Sequence, residues 1–124
     1  MVTIAPPPGK VLDKATPARR ESARKEYEMF AAIRRYHMDP DSIEEVARKV
    51  NEGFVPLISD IPGFVVYIAL NAGQGEYGTV SVFEDQASAE ESNRVAEQWV
   101  NENLSGLLPD PEFAAGEVVA YKAK

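Results

Sequence analysis

The sequence contains no cysteine and only one histidine among its 124 residues. Without cysteine the protein cannot form a disulfide framework, a thiolate nucleophile or a Cys-ligated zinc or iron–sulfur site, which agrees with a cytoplasmic location. The single histidine and the scattered carboxylates form neither a His-x-His nor a His-Glu-x-x-His motif, so we predict no metal site. Thiol chemistry is therefore excluded, and metal chemistry is disfavoured.

Long apolar runs are also absent. No segment approaches the roughly 20 apolar residues that a membrane-spanning helix needs, and the start of the chain lacks the apolar core of a secretory signal. The formal net charge of −7 would repel a phosphate backbone. We therefore expect a cytoplasmic protein whose partners include neither nucleic acid nor a membrane.

Basic residues and proline are concentrated at the start of the chain. Residues 1–25 carry six of the thirteen lysine and arginine residues together with Pro6, Pro7 and Pro8, and a proline triplet cannot enter a helix or a central strand. We expect residues 1–25 to form a basic, partly mobile N-terminal extension. Residues 26–124 then form a single domain.

The remaining pattern predicts the element order βαββαβ. The strands fall at about residues 26–36, 63–72, 77–83 and 113–122, and the helices at about 42–58 and 88–104. Ser42 and Glu45 suggest a capping box for the first helix, which Gly53 and Pro56 should loosen. Glycines at positions 73 and 75 predict a tight hairpin between the second and third strands.

Two amphipathic helices cannot cover both faces of a four-stranded antiparallel sheet, so one face needs a different cover. Alternation along the strands sorts the residues into two sets. We expect the uniformly apolar set to lie under the helices: Met29, Ala31, Ile33, Phe64, Val66, Ile68, Leu70, Val80 and Val82. The mixed set should face a second copy: Phe30, Ala32, Arg34, Tyr36, Val65, Tyr67, Asn71, Thr79, Ser81, Phe83, Val119 and Tyr121. The expected fold is α+β, a ferredoxin-like βαββαβ domain forming a dimeric α/β barrel as a homodimer.

Four short segments carry a family resemblance. They are Arg34-Arg35-Tyr36, Pro62-Gly63-Phe64, Ser81-Val82-Phe83-Glu84-Asp85 and Ala96-x-x-Trp99-Val100. Over about residues 26–122 the chain resembles the antibiotic-biosynthesis-monooxygenase-like branch of the dimeric α/β barrel superfamily. The resemblance implies a ligand cavity, and an activity like that of cofactor-independent oxygenases acting on polycyclic phenols. The haem-degrading members pair a tryptophan with a histidine on the second helix, whereas here Trp99 has no such histidine, so neither haem nor another cofactor is expected.

Three residues of the mixed set are candidates for catalysis. The guanidinium of Arg34 could hold a phenolate, carboxylate or enolate oxygen, or it could pair with a carboxylate across the dimer. Tyr36 and Tyr67 could donate hydrogen bonds to a quinone-like oxygen or stabilise an aryl oxide, although core aromatics with one polar end are common.

Other candidates concern ligand binding. His37 could act as a base near neutral pH or be an ordinary loop residue. Asn71, Ser81 and Phe83 could contact a small aromatic ligand, although the two polar residues also fit ordinary hydrogen bonding in strands. Trp99 lies on the buried stripe of its helix and is interpreted as a core residue.

Three functional classes remain open. A cofactor-independent monooxygenase needs a dry pocket, a polar clamp and an electron-rich substrate that reacts with oxygen itself. A non-catalytic small-molecule binder would use the same cavity without turnover. A structural or stress-related dimer would fill the cavity with side chains, so an empty pocket of roughly 300 Å³ or more distinguishes the first two classes from the third.

Overall fold

A computed structural model describes residues 29–124, and the expected N-terminal extension lies outside the described residues. The elements are β1 (Phe30–His37), α1, β2 (Phe64–Gly73), β3 (Glu76–Phe83), α2 (Gln86–Asn103) and β4 (Glu112–Glu117). Helix α1 is a continuous run of three parts, Ile43–Lys49, a π-helical turn Val50–Phe54, and Val55–Ser59. A short 3₁₀ turn, Pro40–Ser42, leads into it. The predicted order βαββαβ is confirmed.

The four strands form one antiparallel sheet in the order β2-β3-β1-β4. The central strands β1 and β3 pair along their whole length, from Phe30 opposite Phe83 to His37 opposite Glu76. This arrangement is the ferredoxin-like α+β fold. The β2–β3 hairpin turns through Gly73, Gln74 and Gly75, all with positive φ, as the glycine spacing predicts.

An aspartate caps the N-terminus of each helical segment. The Asp39 carboxylate accepts a hydrogen bond from the Asp41 backbone N–H at 3.0 Å, and that of Asp85 accepts one from Ser88 N–H at 2.8 Å. Ser42 makes no capping hydrogen bond through its side chain, so the predicted capping box is wrong. The 3₁₀ turn already places Ser42 in a helical conformation, and Asp39 caps the chain earlier.

The predicted loosening of α1 near Gly53 and Pro56 is confirmed as the π-helical turn. Proline has no backbone N–H, so Pro56 cannot donate to a preceding carbonyl and the regular ladder is interrupted there. Gly53 faces the second helix, and a Cβ atom at this position would lie 3.0 Å from Cζ2 of Trp99. The turn therefore lets the α1 backbone approach the indole edge closely.

The prediction of which sheet face lies under the helices is wrong. Residues of the mixed set are buried against α1 and α2, among them Ala32, Tyr36, Thr79, Ser81 and Phe83. By contrast Ile33, Ile68 and Leu70 of the uniformly apolar set remain 47%, 50% and 48% exposed. Periodicity shows which residues share a face of the sheet. It does not show which face the helices cover, because a face covered by a partner can be as apolar as one covered by the chain's own helices.

Two further details depart from simple alternation. A β-bulge between Phe64 and Val66 turns Phe64 toward the helices, where its ring meets that of Phe83 at 5.8 Å. Phe64 is thus covered by the helices as predicted. The last strand ends at Glu117, so Val119 and Tyr121, predicted as strand residues, lie beyond it and are exposed.

Candidate functional site

An open cleft of about 770 Å³ lies on the helix side of the sheet, bounded by α2, the loop after it and the start of β4. Beneath it lies a much smaller cavity of about 30 Å³ that extends between α1, α2 and the sheet. The two spaces share six lining residues: Arg34, Tyr36, Ala96, Val100, Leu104 and Leu108. The cavity within this chain is therefore covered by its own helices, and not by a second sheet as the sequence had suggested.

Arg34 lies at the junction of the cleft and the buried cavity. Strand β1 directs it to the helix side, where its Nη2 donates to Oδ1 of Asn93 at 2.9 Å. The guanidinium carbon lies 4.9 Å from the centroid of the Phe113 ring on β4, within the range of a cation–π contact. None of the ion pairs formed within residues 29–124 includes Arg34. A neutral amide and an aromatic ring thus orient the guanidinium without neutralising its charge, which favours an anionic ligand group.

Tyr36 and Tyr67 lie on neighbouring parts of the same face and both line the buried cavity. Burial raises the pKa of the Tyr36 hydroxyl, and the charge of Arg34 partly offsets this effect. Burial raises the pKa of Tyr67 more strongly, with smaller contributions from Tyr77 and Tyr36. Both phenols therefore stay protonated near neutral pH and can act as hydrogen-bond donors, but not as bases.

Tyr77 is a third tyrosine of this group, which the sequence reasoning missed. It lines the buried cavity and is only 3% exposed, and its ring centroid lies 6.0 Å from that of Tyr36. Burial, with a smaller contribution from Tyr36, raises its pKa to about 12. The available signal was the alternation in β3, which puts Tyr77 on the same face as Thr79 and Ser81.

The predicted ligand-binding residues are divided between the cavity and other places. Ser81 is buried and lines the cavity, whereas Phe83 packs in the core beside it. His37 lies on the other face of the sheet, mostly exposed, with Nδ1 3.3 Å from the Glu76 carboxylate. The Asn71 side chain accepts a hydrogen bond from the Gly73 backbone N–H at 2.9 Å in the hairpin turn. The structure therefore does not bring His37 or Asn71 to the cleft.

The interpretation of Trp99 as a core residue is confirmed. It is 9% exposed, and its ring centroid lies 5.5 Å from that of Phe54 in the π-helical turn. The indole also forms part of the cavity wall. Trp99 thus links the stability of the helix layer to the shape of the site.

Within the part of the chain that the structure describes, no group of three or more His, Cys, Asp or Glu side chains could hold a metal ion. Among the same residues, no helix combines the length and apolar character needed to cross a membrane.

The family model described as antibiotic biosynthesis monooxygenase matches residues 29–98, more than half of the chain. The chain belongs to this family. The match covers β1 to most of α2 and thus includes Arg34 and the three tyrosines of the cavity. No curated protein sequence matches the chain.

Solved structures show the same fold at low sequence identity. A protein of unknown function from Nitrosomonas europaea is 22% identical with a TM-score of 0.66, covering 77% of this chain and 94% of that one. A monooxygenase from Streptomyces coelicolor in complex with Nanaomycin D is 20% identical with a TM-score of 0.56, covering 77% and 89%. A variant of SnoaB, a cofactor-independent oxygenase from Streptomyces nogalater, is 16% identical with a TM-score of 0.54, covering 77% and 96%.

Proposed function

We propose that the protein is a cofactor-independent monooxygenase that oxidises an aromatic, phenolic small molecule in the cleft. The observation that carries this proposal is the position of Arg34, an oriented cation with no ion pair within residues 29–124, which lines a cleft of about 770 Å³ with Tyr36 and the adjoining small cavity with Tyr36 and Tyr67. Family membership and the oxygenases among the similar structures support this class of reaction.

The proposed chemistry requires only the substrate and dioxygen. A phenol or its keto tautomer loses a proton to solvent water, and Arg34 stabilises the resulting aryl oxide. This electron-rich anion reduces dioxygen, and a carbon–oxygen bond forms at the ring carbon to give a peroxide. The peroxide carbon then loses its remaining hydrogen as a proton while the O–O bond breaks, which leaves one oxygen atom as a new carbonyl. The other oxygen atom leaves as hydroxide and takes up a proton to become water, so the CH₂ group of the keto tautomer becomes C=O. Tyr36 and Tyr67 donate hydrogen bonds to the oxygen that carries the negative charge.

Anthrone oxidation in air tests this proposal, with anthraquinone formation followed by absorbance. We expect the protein to exceed the uncatalysed rate, and Arg34→Ala to lower the turnover rate by about 10²-fold, the usual cost of losing a main oxyanion donor. Arg35→Ala is the matched control, because Arg35 is the next residue of β1 but lies on the other sheet face, paired with Glu76 and Glu112. An unchanged rate in Arg34→Ala, or no oxidation above background by the unmodified protein, contradicts the proposal.

A non-catalytic ligand-binding protein would use the same cleft. Tight binding of a phenolic ligand without its oxidation is the result that favours this alternative. A purely structural dimer should have a cavity filled by side chains. The open cleft of about 770 Å³ disfavours this class.

We further propose that the protein acts in the cytoplasm as a homodimer built on the sheet face opposite the helices. Members of this family are typically dimeric. The proposed interface is the exposed apolar part of that face, formed by Ile33, Ile68 and Leu70. Burying these side chains against a second copy stabilises the dimer by about 25 cal/mol for each Å² of apolar surface removed from water.

A further inference from the structure

The π-helical turn changes which residues of α1 face the sheet. The backbone N–H of Val55 donates to the carbonyl of Val50, five residues earlier, where a regular α-helix would use the carbonyl four residues earlier. The turn therefore holds one residue more than an α-helical turn. Each residue after it lies where the preceding residue would lie in an uninterrupted α-helix.

This extra residue decides which side chain of the last helical turn is buried. The buried residues Ile43, Val46 and Val50 follow the α-helical repeat of 3.6 residues, and continuing that repeat would bring Leu57 to the buried face. In the structure Ile58 takes this position and is 2% exposed, whereas Leu57 is 48% exposed. Removing the extra residue from the turn would thus put Leu57 in the place of Ile58.

The two arrangements of α1 are close in free energy of packing. Leucine and isoleucine have similar volume and apolar area, so exchanging Leu57 for Ile58 against the sheet changes the packing little. Pro56 favours the observed arrangement, because in an uninterrupted α-helix its ring would clash with the carbonyl of Glu52. Here it is tolerated in the first turn of the segment Val55–Ser59. One side chain, Pro56, therefore has a large share in the choice between them.

The same choice affects the wall of the buried cavity. Val50, Phe54 and Ile58 line the cavity together with Trp99. The widened π-helical turn brings Gly53 against the indole, where a Cβ atom would lie 3.0 Å from Cζ2. A regular α-helical turn is narrower and draws the Gly53 backbone back from the indole. The space that it leaves adds to the cavity of about 30 Å³.

We propose that the π-helical turn makes α1 a two-register element that sets the size of the buried cavity. In the observed register Ile58 packs over the sheet, Gly53 covers the edge of Trp99, and the cavity is small. In the second register α1 is a regular α-helix, Leu57 replaces Ile58, and the cavity enlarges beside Trp99. The register change is a property of α1 itself and does not depend on the proposed function.

Fluorescence reports the register, because Trp99 is the single tryptophan of the chain. Pro56→Ala removes the ring that opposes the regular register. We expect its emission maximum to differ from that of the unmodified protein, and quenching by acrylamide to rise about twofold as the second register becomes populated. Pro40→Ala is the matched control, since Pro40 lies in the 3₁₀ turn before α1, and it should leave emission and quenching unchanged.

Leu57→Asp identifies the second register, because the two registers bury this position differently. Leu57 is half-exposed in the observed register, so aspartate is tolerated there, whereas the second register would bury its charge. We therefore expect Leu57→Asp alone to keep the emission maximum and quenching of the unmodified protein. Combined with Pro56→Ala, it should return both measurements to those values.

Gly53→Ala provides an independent route to the second register. Its Cβ atom opposes the contact of the observed register with Trp99, and alanine favours a regular helix over glycine. Quenching should rise in this variant too, and Leu57→Asp should reverse the rise.

Three results would overturn the proposal. The first is unchanged emission and quenching in Pro56→Ala. The second is a change in either variant that Leu57→Asp does not reverse, because local disorder and not a new register would then explain it. The third is a Pro56→Ala protein that does not fold, since the second register is expected to be folded.

Discussion

Replacing Trp99 by alanine should destabilise the helix layer severely. The side chain is 9% exposed, packs on Phe54 at 5.5 Å between ring centroids and meets the backbone of Gly53. A buried tryptophan removes about 200 Å² from water, which at about 25 cal/mol per Å² amounts to about 5 kcal/mol. Substitutions of this type usually cost about 3–5 kcal/mol, against a total stability of about 5–15 kcal/mol for a domain. We therefore expect Trp99→Ala to be largely unfolded or to melt far below the parent protein.

Urea unfolding followed by circular dichroism measures this loss and allows graded comparison. Trp99→Phe retains a ring against Phe54 and should lose roughly half as much. Arg34→Ala removes one hydrogen bond to Asn93 and one contact with Phe113, so it should lose only about 1 kcal/mol and stay folded. A normal melting temperature for Trp99→Ala, or a collapse of Arg34→Ala, would refute the assignment of these two residues to core and site.

The other predictions concern assembly and pH. Ile68→Asp places a charge on the half-exposed apolar face and should convert the proposed dimer to a monomer, as measured by light scattering. Glu44→Asp, at an exposed position of α1, is the control and should leave the dimer intact. A dimer that survives Ile68→Asp contradicts the proposed interface. The unfolded chain releases its tyrosine protons near pH 10.0, whereas folded Tyr77 keeps its proton to a pKa of about 12. The free energy of unfolding should therefore fall as pH rises through this interval. Tyr77→Phe should make this fall shallower without abolishing it, because the pKa values of Tyr36 and Tyr67 are raised as well. An equal pH dependence in Tyr77→Phe and the parent protein would contradict this contribution of Tyr77.

The order of elements could be predicted from the sequence because it depends on local patterns. Apolar spacing marked both helices, and the glycines at positions 73 and 75 marked the hairpin. The interruption of α1 followed from Gly53 and Pro56, whose effects on the backbone do not depend on their tertiary surroundings.

The sheet faces could not be predicted in the same way. Alternation correctly grouped Arg34 with Tyr36 and Ser81 on one face, but it contained no information on which element covers that face. Thr79 and Ser81 were placed in the set expected to face a second copy, yet α1 and α2 cover them. His37 was proposed from its residue type, and Asn71 from its place in the mixed set. Their placement on the opposite face and in the hairpin turn follows from register and strand length.

The alternation of β1 also has an evolutionary consequence. Its even-numbered residues lie on the helix side of the sheet, where Arg34 and Tyr36 line the cleft, while its odd-numbered residues, including Ile33 and Arg35, face the side proposed for self-association. Under the proposed function and interface, adjacent codons of β1 come under separate selection, one for the molecule that is bound and the other for how two copies join. A lineage can change its ligand preference through one set of positions without altering its assembly through the other, which helps explain how one small sheet supports proteins of differing chemistry.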